Sequence, residues 1–256
     1  MMNKISMLTT AIIASGISVS AQGAIWSSTE LHLQLGELTD PFTGDDVDTT
    51  ILTFQHASGW QYGENFFFID HINTDGGQDY YGEWYPFFSS KKIMGMEYGG
   101  PIRDIGFVMG FNAAGDANVM KYLPGIQINW DIPGFAFINT LLSAYIDDSE
   151  GVASGGAPKE DDSFMLDVAW KYPFDIGNAS FSIEGHAEYI DGRKNEFDGD
   201  VESWILAQPQ FRWDAGKTLF GEAGQLHVGI EYQYWQNKLG VDEDESAVQL
   251  LVVWGL

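Results

Sequence analysis

The feature that most narrows the folds open to this chain is a hydrophobic period of two that runs to its last residues. Leu31, Leu33 and Leu35 alternate with Glu30, His32 and Gln34. Ile105, Phe107, Met109 and Phe111 alternate with Asp104, Gly106, Val108, Gly110 and Asn112. Phe164, Leu166, Val168 and Trp170 alternate with Ser163, Met165, Asp167 and Ala169, and Val228, Ile230, Tyr232 and Tyr234 with His227, Gly229, Glu231 and Gln233. Val248, Leu250, Val252, Trp254 and Leu256 share the last face. Successive side chains of a strand point to opposite faces, whereas a helix repeats every 3.6 residues, so the pattern predicts strands. No segment after the first 21 residues offers the ~20 continuous apolar residues that a spanning helix needs. If such a chain enters a membrane it does so as a closed barrel, the one sheet with no unpaired edge.

The start of the sequence reads as an address. Lys4 is the only charge before Gln22, an apolar run from Met7 to Val19 follows, and Val19-Ser20-Ala21 places small residues at a cleavage site. This predicts a secretory signal peptide over residues 1–21, leaving residues 22–256 as a single barrel domain. The chain has no cysteine, which removes disulfide staples, thiol catalysis and thiolate metal sites. A formal charge of −25 argues against nucleic acid as a partner, since phosphate attraction needs a basic face. Aromatic residues at 14% and 30 glycines suit tightly turning strands with aromatic girdles.

The connections between strands alternate in chemistry. One set is long or acidic: Glu37 to Asp48, Thr74 to Asp79, Ala113 to Val119, Asp147 to Asp162, Asp191 to Asp200 and Lys238 to Ser246. The other is shorter or less acidic: Gly59 to Asn65, Ser89 to Pro101, Asp131 to Phe135, Lys171 to Ala179 and Asp214 to Gln225. Long loops at one end and tighter turns at the other are the pattern of an outer-membrane barrel. The fold class predicted is all-β, a transmembrane antiparallel up-and-down barrel of about twelve strands. The apolar stretch from Ile93 to Tyr98 is assigned to the fourth strand or its turn, because a separate strand would make the number odd. Trp26, Trp60, Trp130, Trp170, Trp213 and Trp254 fall at strand ends, where girdles at the two membrane–water boundaries are expected.

In a barrel the polar face of each alternation lines the lumen. The candidate solute contacts are Phe66, Phe68, Asp70, Tyr81, Glu83, Tyr85, Lys121, Asn139, Tyr145, Asp167, Glu184, His186, Arg212 and Glu231. Their carboxylates and cations predict ion pairs between neighbouring strands, because a charged lumen residue must be paired or hydrated. Aromatic faces can stack on a planar solute while amides and carboxylates bond its hydroxyls or ring edges. Glu184, His186 and Glu188 share one face, but residues two apart on a strand lie ~7 Å apart, too far for the outer two to ligate one ion. No metal, cofactor or catalytic residue is assigned, for no nucleophile elbow or phosphate-cradling glycine loop is present, and no enzyme is expected. The acidic loop clusters, such as Asp242-Glu243-Asp244-Glu245, match no calcium-loop spacing and read as solvated faces.

Several stretches resemble a known family. His56-Ala57-Ser58-Gly59-Trp60-Gln61-Tyr62-Gly63-Glu64-Asn65-Phe66-Phe67 is similar to the second hairpin of the Tsx-like and OmpK-like nucleoside-specific outer-membrane channels. Gly99-Gly100-Pro101-Ile102-Arg103-Asp104-Ile105-Gly106, Asp131-Ile132-Pro133-Gly134-Phe135, Trp170-Lys171-Tyr172-Pro173-Phe174 and the closing strand follow in the same order. The resemblance implies a twelve-stranded monomeric barrel in a Gram-negative outer membrane, in contact with its lipid and lipopolysaccharide. It also implies facilitated diffusion of nucleosides, with loops that serve as phage or colicin receptors. Leu256 stands where such barrels usually end in Phe, and the loops are more acidic than those of nucleoside channels.

The function expected is passive, selective diffusion of a small neutral solute such as a nucleoside. The rivals are a plugged barrel acting as a surface receptor, a membrane-embedded hydrolase, and a soluble secreted sugar-binding sandwich.

Overall fold

The computed structural model of the protein describes residues 23–256; the expected leader, 1–21, lies outside the described residues. The chain winds an antiparallel sheet in sequence order: β1 (Trp26–Thr39), β2 (Asp46–Trp60), β3 (Gly63–Thr74), β4 (Gly77–Ser89), β5 (Ile102–Ala114), β6 (Val119–Trp130), β7 (Phe137–Asp147), β8 (Ser163–Ile176) and β9 (Ala179–Ile190). A two-residue hairpin, β10 (Arg193–Lys194) with β11 (Asp200–Val201), stands outside the wall. The wall continues through β12 (Trp204–Ala207) and β13 (Gln210–Asp214), both paired to β9 and β14, so together they act as one interrupted strand. β14 (Leu226–Gln236) and β15 (Glu245–Gly255) follow, and β15 pairs with β1 to close a barrel of twelve strands.

The alternation sets which side faces where. On β1, His32 and Gln34 are buried while Leu33 and Leu35 are exposed; on β15, Leu251 and Val253 are buried while Leu250 and Val252 are exposed. Large apolar side chains such as Ile69, Trp84, Ile126, Leu142 and Ile230 stand outward and exposed around the wall. An exposed apolar surface of this extent is stable in lipid rather than in water, which disposes of the soluble sandwich.

The loop and turn map holds in outline, with two refinements. Residues Ser90–Met94 form a short helix, α1, rather than strand: Ser89 caps it by accepting from the Lys92 N–H, and Gly95 ends it at φ 68°. The apolar run there sits in the turn, and the even strand number stands. The expected turn from Lys171 to Ala179 shrinks to Gly177 and Asn178, because β8 runs on to Ile176. Phe174 stacks on Phe181 of β9 at 5.6 Å, a cross-strand contact that favours the longer ladder. A second short helix, α2 (Ala215–Phe220), fills the turn after β13, capped by Asp214.

One wall of the interior is apolar. Phe87, Val108, Leu123, Leu141, Met165, Ile190 and Trp204 point inward from β4 to β9 and β12 and pack as one buried cluster. The polar lumen lies against this wall.

Candidate functional site

Register and contacts bring all fourteen candidate residues to the inner face, in three groups. The first is an aromatic and acidic strip on β3 and β4. Phe66 stands opposite Tyr85, Phe68 opposite Glu83 and Asp70 opposite Tyr81. The rings of Phe66 and Phe68 are 6.2 Å apart and those of Phe68 and Tyr81 6.0 Å. The Tyr81 hydroxyl donates to Glu83, that of Tyr85 to Asn112 at 3.1 Å, and that of Thr53 to Asp70 at 2.6 Å. Space for Tyr85 comes from Gly110, where a Cβ would meet its ring at 2.7 Å.

The second group is a fixed charge bridge nearer the turns. Arg212 is 2% exposed and binds Glu30 at 2.9 Å and Glu184 at 3.0 Å. Lys171 reaches the other oxygen of Glu184 at 3.0 Å, and His32 lies 2.9 Å from Glu30. Glu231 accepts from Gln210 at 2.5 Å and from Gln249 at 3.1 Å. Each of these buried groups is held by more than one partner.

The third group spans the lumen from its centre to the loops. His186 binds Asp167 at 3.1 Å through Nδ1 and Gln208 at 2.9 Å through Nε2, and Gln208 donates onward to Gln233 at 2.8 Å. The strand break after Ala207 aims Gln208 here. Pro209 has no N–H to give the ladder, and opposite it Gly185 adopts φ 144°, with the Gln208 carbonyl 2.2 Å from where a Cβ would stand. Only glycine fits there. Toward the loops, Lys121 binds Asp147 at 2.9 Å and Glu160 at 2.6 Å, and its ammonium lies 5.3 Å from the Tyr145 ring. At the opposite, turn end of the lumen Asn139 lies opposite Asn129, which accepts from Gln127, and among the described residues its own Oδ1 has no partner.

Water access divides the fourteen. Phe66 is exposed at 36%, and the His186 side chain keeps 31% of its surface. Phe68, Asp70, Tyr81, Glu83, Tyr85, Asn139 and Asp167 are also partly exposed. Inward side chains that still meet solvent line an open space. Lys121, Tyr145, Glu184, Arg212 and Glu231 are buried; they belong to the frame around that space.

The lumen is also unbalanced in charge. Lys121, Lys171, Arg193, Arg212 and Lys238 each carry a carboxylate partner. Among the described residues Asp70, Glu83, Glu188 and Glu231 form no ion pair. They share one region: Glu83 is in electrostatic reach of Asp167 and His186 across the barrel, Glu188 of Glu83, and Asp70 of Glu231.

Three inward cations went unrecognised in the sequence. Lys171 opens the turn expected from Lys171 to Ala179, yet its spacing from Asp167 and Ala169 puts it in phase with the lumen. Arg193 and Lys238 lie in loops, where alternation carries no information.

No protein-family model matches the chain, and no curated protein sequence does. The fold has solved counterparts. The NanC porin superposes with a TM-score of 0.55 at 12% identity, covering 88% of this chain and 100% of the porin. An outer-membrane channel from Pseudomonas putida F1 superposes with a TM-score of 0.51 at 9% identity, covering 91% of this chain and 96% of that one. The protein is thus a closed twelve-stranded antiparallel β-barrel, the fold of these channels, its lumen narrowed by inward side chains.

Proposed function

We propose that the protein is a passive channel of a Gram-negative outer membrane for small neutral or cationic solutes, with nucleosides the first choice. The observation that carries this reading is the water-accessible strip of Phe66, Phe68 and Tyr85 beside carboxylates with no cationic partner. A planar, hydroxyl-rich solute can stack on the rings and bond Glu83, Asp167 or Asn139, whereas an anion meets unbalanced negative charge. The resemblance to nucleoside channels points the same way, and with it come a monomeric state and loops that contact phage or colicin.

The test is flux through purified protein in liposomes, with nucleosides, sugars and amino acids of similar size. Nucleosides are expected to pass fastest. Replacing Phe66 and Phe68 by Ala is expected to slow nucleosides several-fold while ion conductance stays unchanged; equal loss for every solute would remove the stacking role. The rival is a plugged receptor barrel, favoured by the loop residues buried in the mouth. It requires negligible conductance even after the mouth is freed.

A further inference from the structure

The loop-side mouth is filled by a built contact rather than by loose chain. The β7–β8 loop brings Glu160, and the β9–β12 connection brings Arg193 on β10. Glu160 Oε2 accepts from Lys121 on the wall at 2.6 Å and from Arg193 at 2.7 and 2.9 Å. The guanidinium lies 4.5 Å from the Trp204 ring centre and 5.0 Å from that of Tyr145. The two loops also pair through their backbones, from Asp161 N–H to the Lys194 carbonyl and from Glu196 N–H to the Lys159 carbonyl, both at 2.8 Å. Val201, from β11 of the same hairpin, is buried in the apolar cluster. Across the mouth, the β14–β15 loop inserts Lys238, which binds Glu245 at 2.8 Å and the Thr39 carbonyl at 2.7 Å.

The burial of these groups is what distinguishes the mouth. Lys121 is 3% exposed, Tyr145 7%, Val201 8%, Arg193 9% and Trp204 5%. At the rim of an open, water-filled pore such side chains would be wetted. We propose that Glu160, Arg193 and Lys121 form the latch of a gate that holds the β7–β8 and β9–β12 loops in the mouth. Passage through the lumen then requires this latch to release. Glu160 is the keystone because one carboxylate oxygen serves two cations from different elements. Without its charge Lys121 keeps Asp147 on the wall, but Arg193 is left buried with no carboxylate partner, which favours withdrawal of the hairpin into water.

The inference rests on the channel reading, so its test separates the two. The sequence contains no cysteine, and Val201→Cys therefore supplies a single thiol beneath the latch. Labelling of that thiol by a membrane-impermeant maleimide, and conductance in planar bilayers, are measured with and without Glu160→Gln. Glu160→Gln is expected to speed labelling about tenfold, a shift of only ~1.4 kcal/mol in the open–closed balance, and to raise conductance several-fold. Arg193→Met serves as the second variant if Glu160→Gln folds poorly. Faster labelling without conductance in any form would keep the latch and overturn the channel. Unchanged labelling would overturn the latch whatever the conductance.

Discussion

The two ends of the lumen are built from the same wall but solve the problem of buried charge differently. Near the turns, Arg212 is held by Glu30 and Glu184, residues of β1 and β9, so the bridge is wall to wall. Near the loops, Lys121 and Arg193 are held by Glu160, a loop residue that can leave. A charge cluster made wholly of strand residues cannot release without unfolding the barrel. One completed by a loop can come apart while the barrel stays whole. The difference assigns stability to the first and control of access to the second.

The largest effect is expected from breaking the wall-to-wall bridge. Arg212→Met takes the arginine from two buried carboxylates, leaving Glu30 with no cation but His32 and Glu184 with Lys171 alone, and should cost about 3–5 kcal/mol, read as a lower urea midpoint for the detergent-folded barrel. Adding Glu30→Gln to Arg212→Met should restore part of that loss, because Glu184 keeps Lys171 whereas Glu30 keeps only His32. Lys121→Met is the matched variant at the loop end, and it should raise conductance at a smaller cost in midpoint. If Lys121→Met lowers the midpoint as much as Arg212→Met and leaves conductance unchanged, the division between the two ends fails.

A smaller effect should follow from the accessible centre between the two ends. Glu83→Gln with Asp167→Asn removes charge from the region where acids outnumber cations. Reversal potentials in a salt gradient should then move toward zero, with cation preference falling several-fold. No shift would mean that ions do not pass Glu83 and Asp167 at all.

The sequence made the wall legible and left the mouth hidden, for a physical reason. Period-two alternation reports which face a strand residue takes, so Phe66, Glu83, Asp167 and Arg212 all follow from counting along a strand. It also exposes an error of boundary: Lys171 is in phase with Asp167 and needed only a longer β8 to be read as inward. What alternation cannot report is polarity of the inner face where the wall is packed. Val108 and Met165 sit inward beside glycine and serine, and nothing in the alternation marks that side as a packed wall. The loop residues Glu160, Arg193 and Lys238 carry no period. Their position depends on how the β7–β8, β9–β12 and β14–β15 connections fold over the mouth, which is a matter of long-range contact.

The finest test of the comparison uses two neighbours on one hairpin. Arg193 and Lys194 are both cations of β10, and strand geometry sends them to opposite sides. Arg193 points into the mouth, 9% exposed; the Lys194 side chain keeps 49% of its surface and pairs with Asp200, itself 72% exposed, at 2.5 Å. Asp200 raises the pKa of the Lys194 ammonium above its usual value, yet the pair stands in solvent, where salt screens it and side-chain entropy offsets the attraction. Lys194→Met should therefore leave midpoint, labelling of the Val201→Cys thiol and conductance all unchanged. Arg193→Met should speed labelling and raise conductance. Equal effects from the two would show that general loop charge, rather than the inward latch, holds the mouth shut.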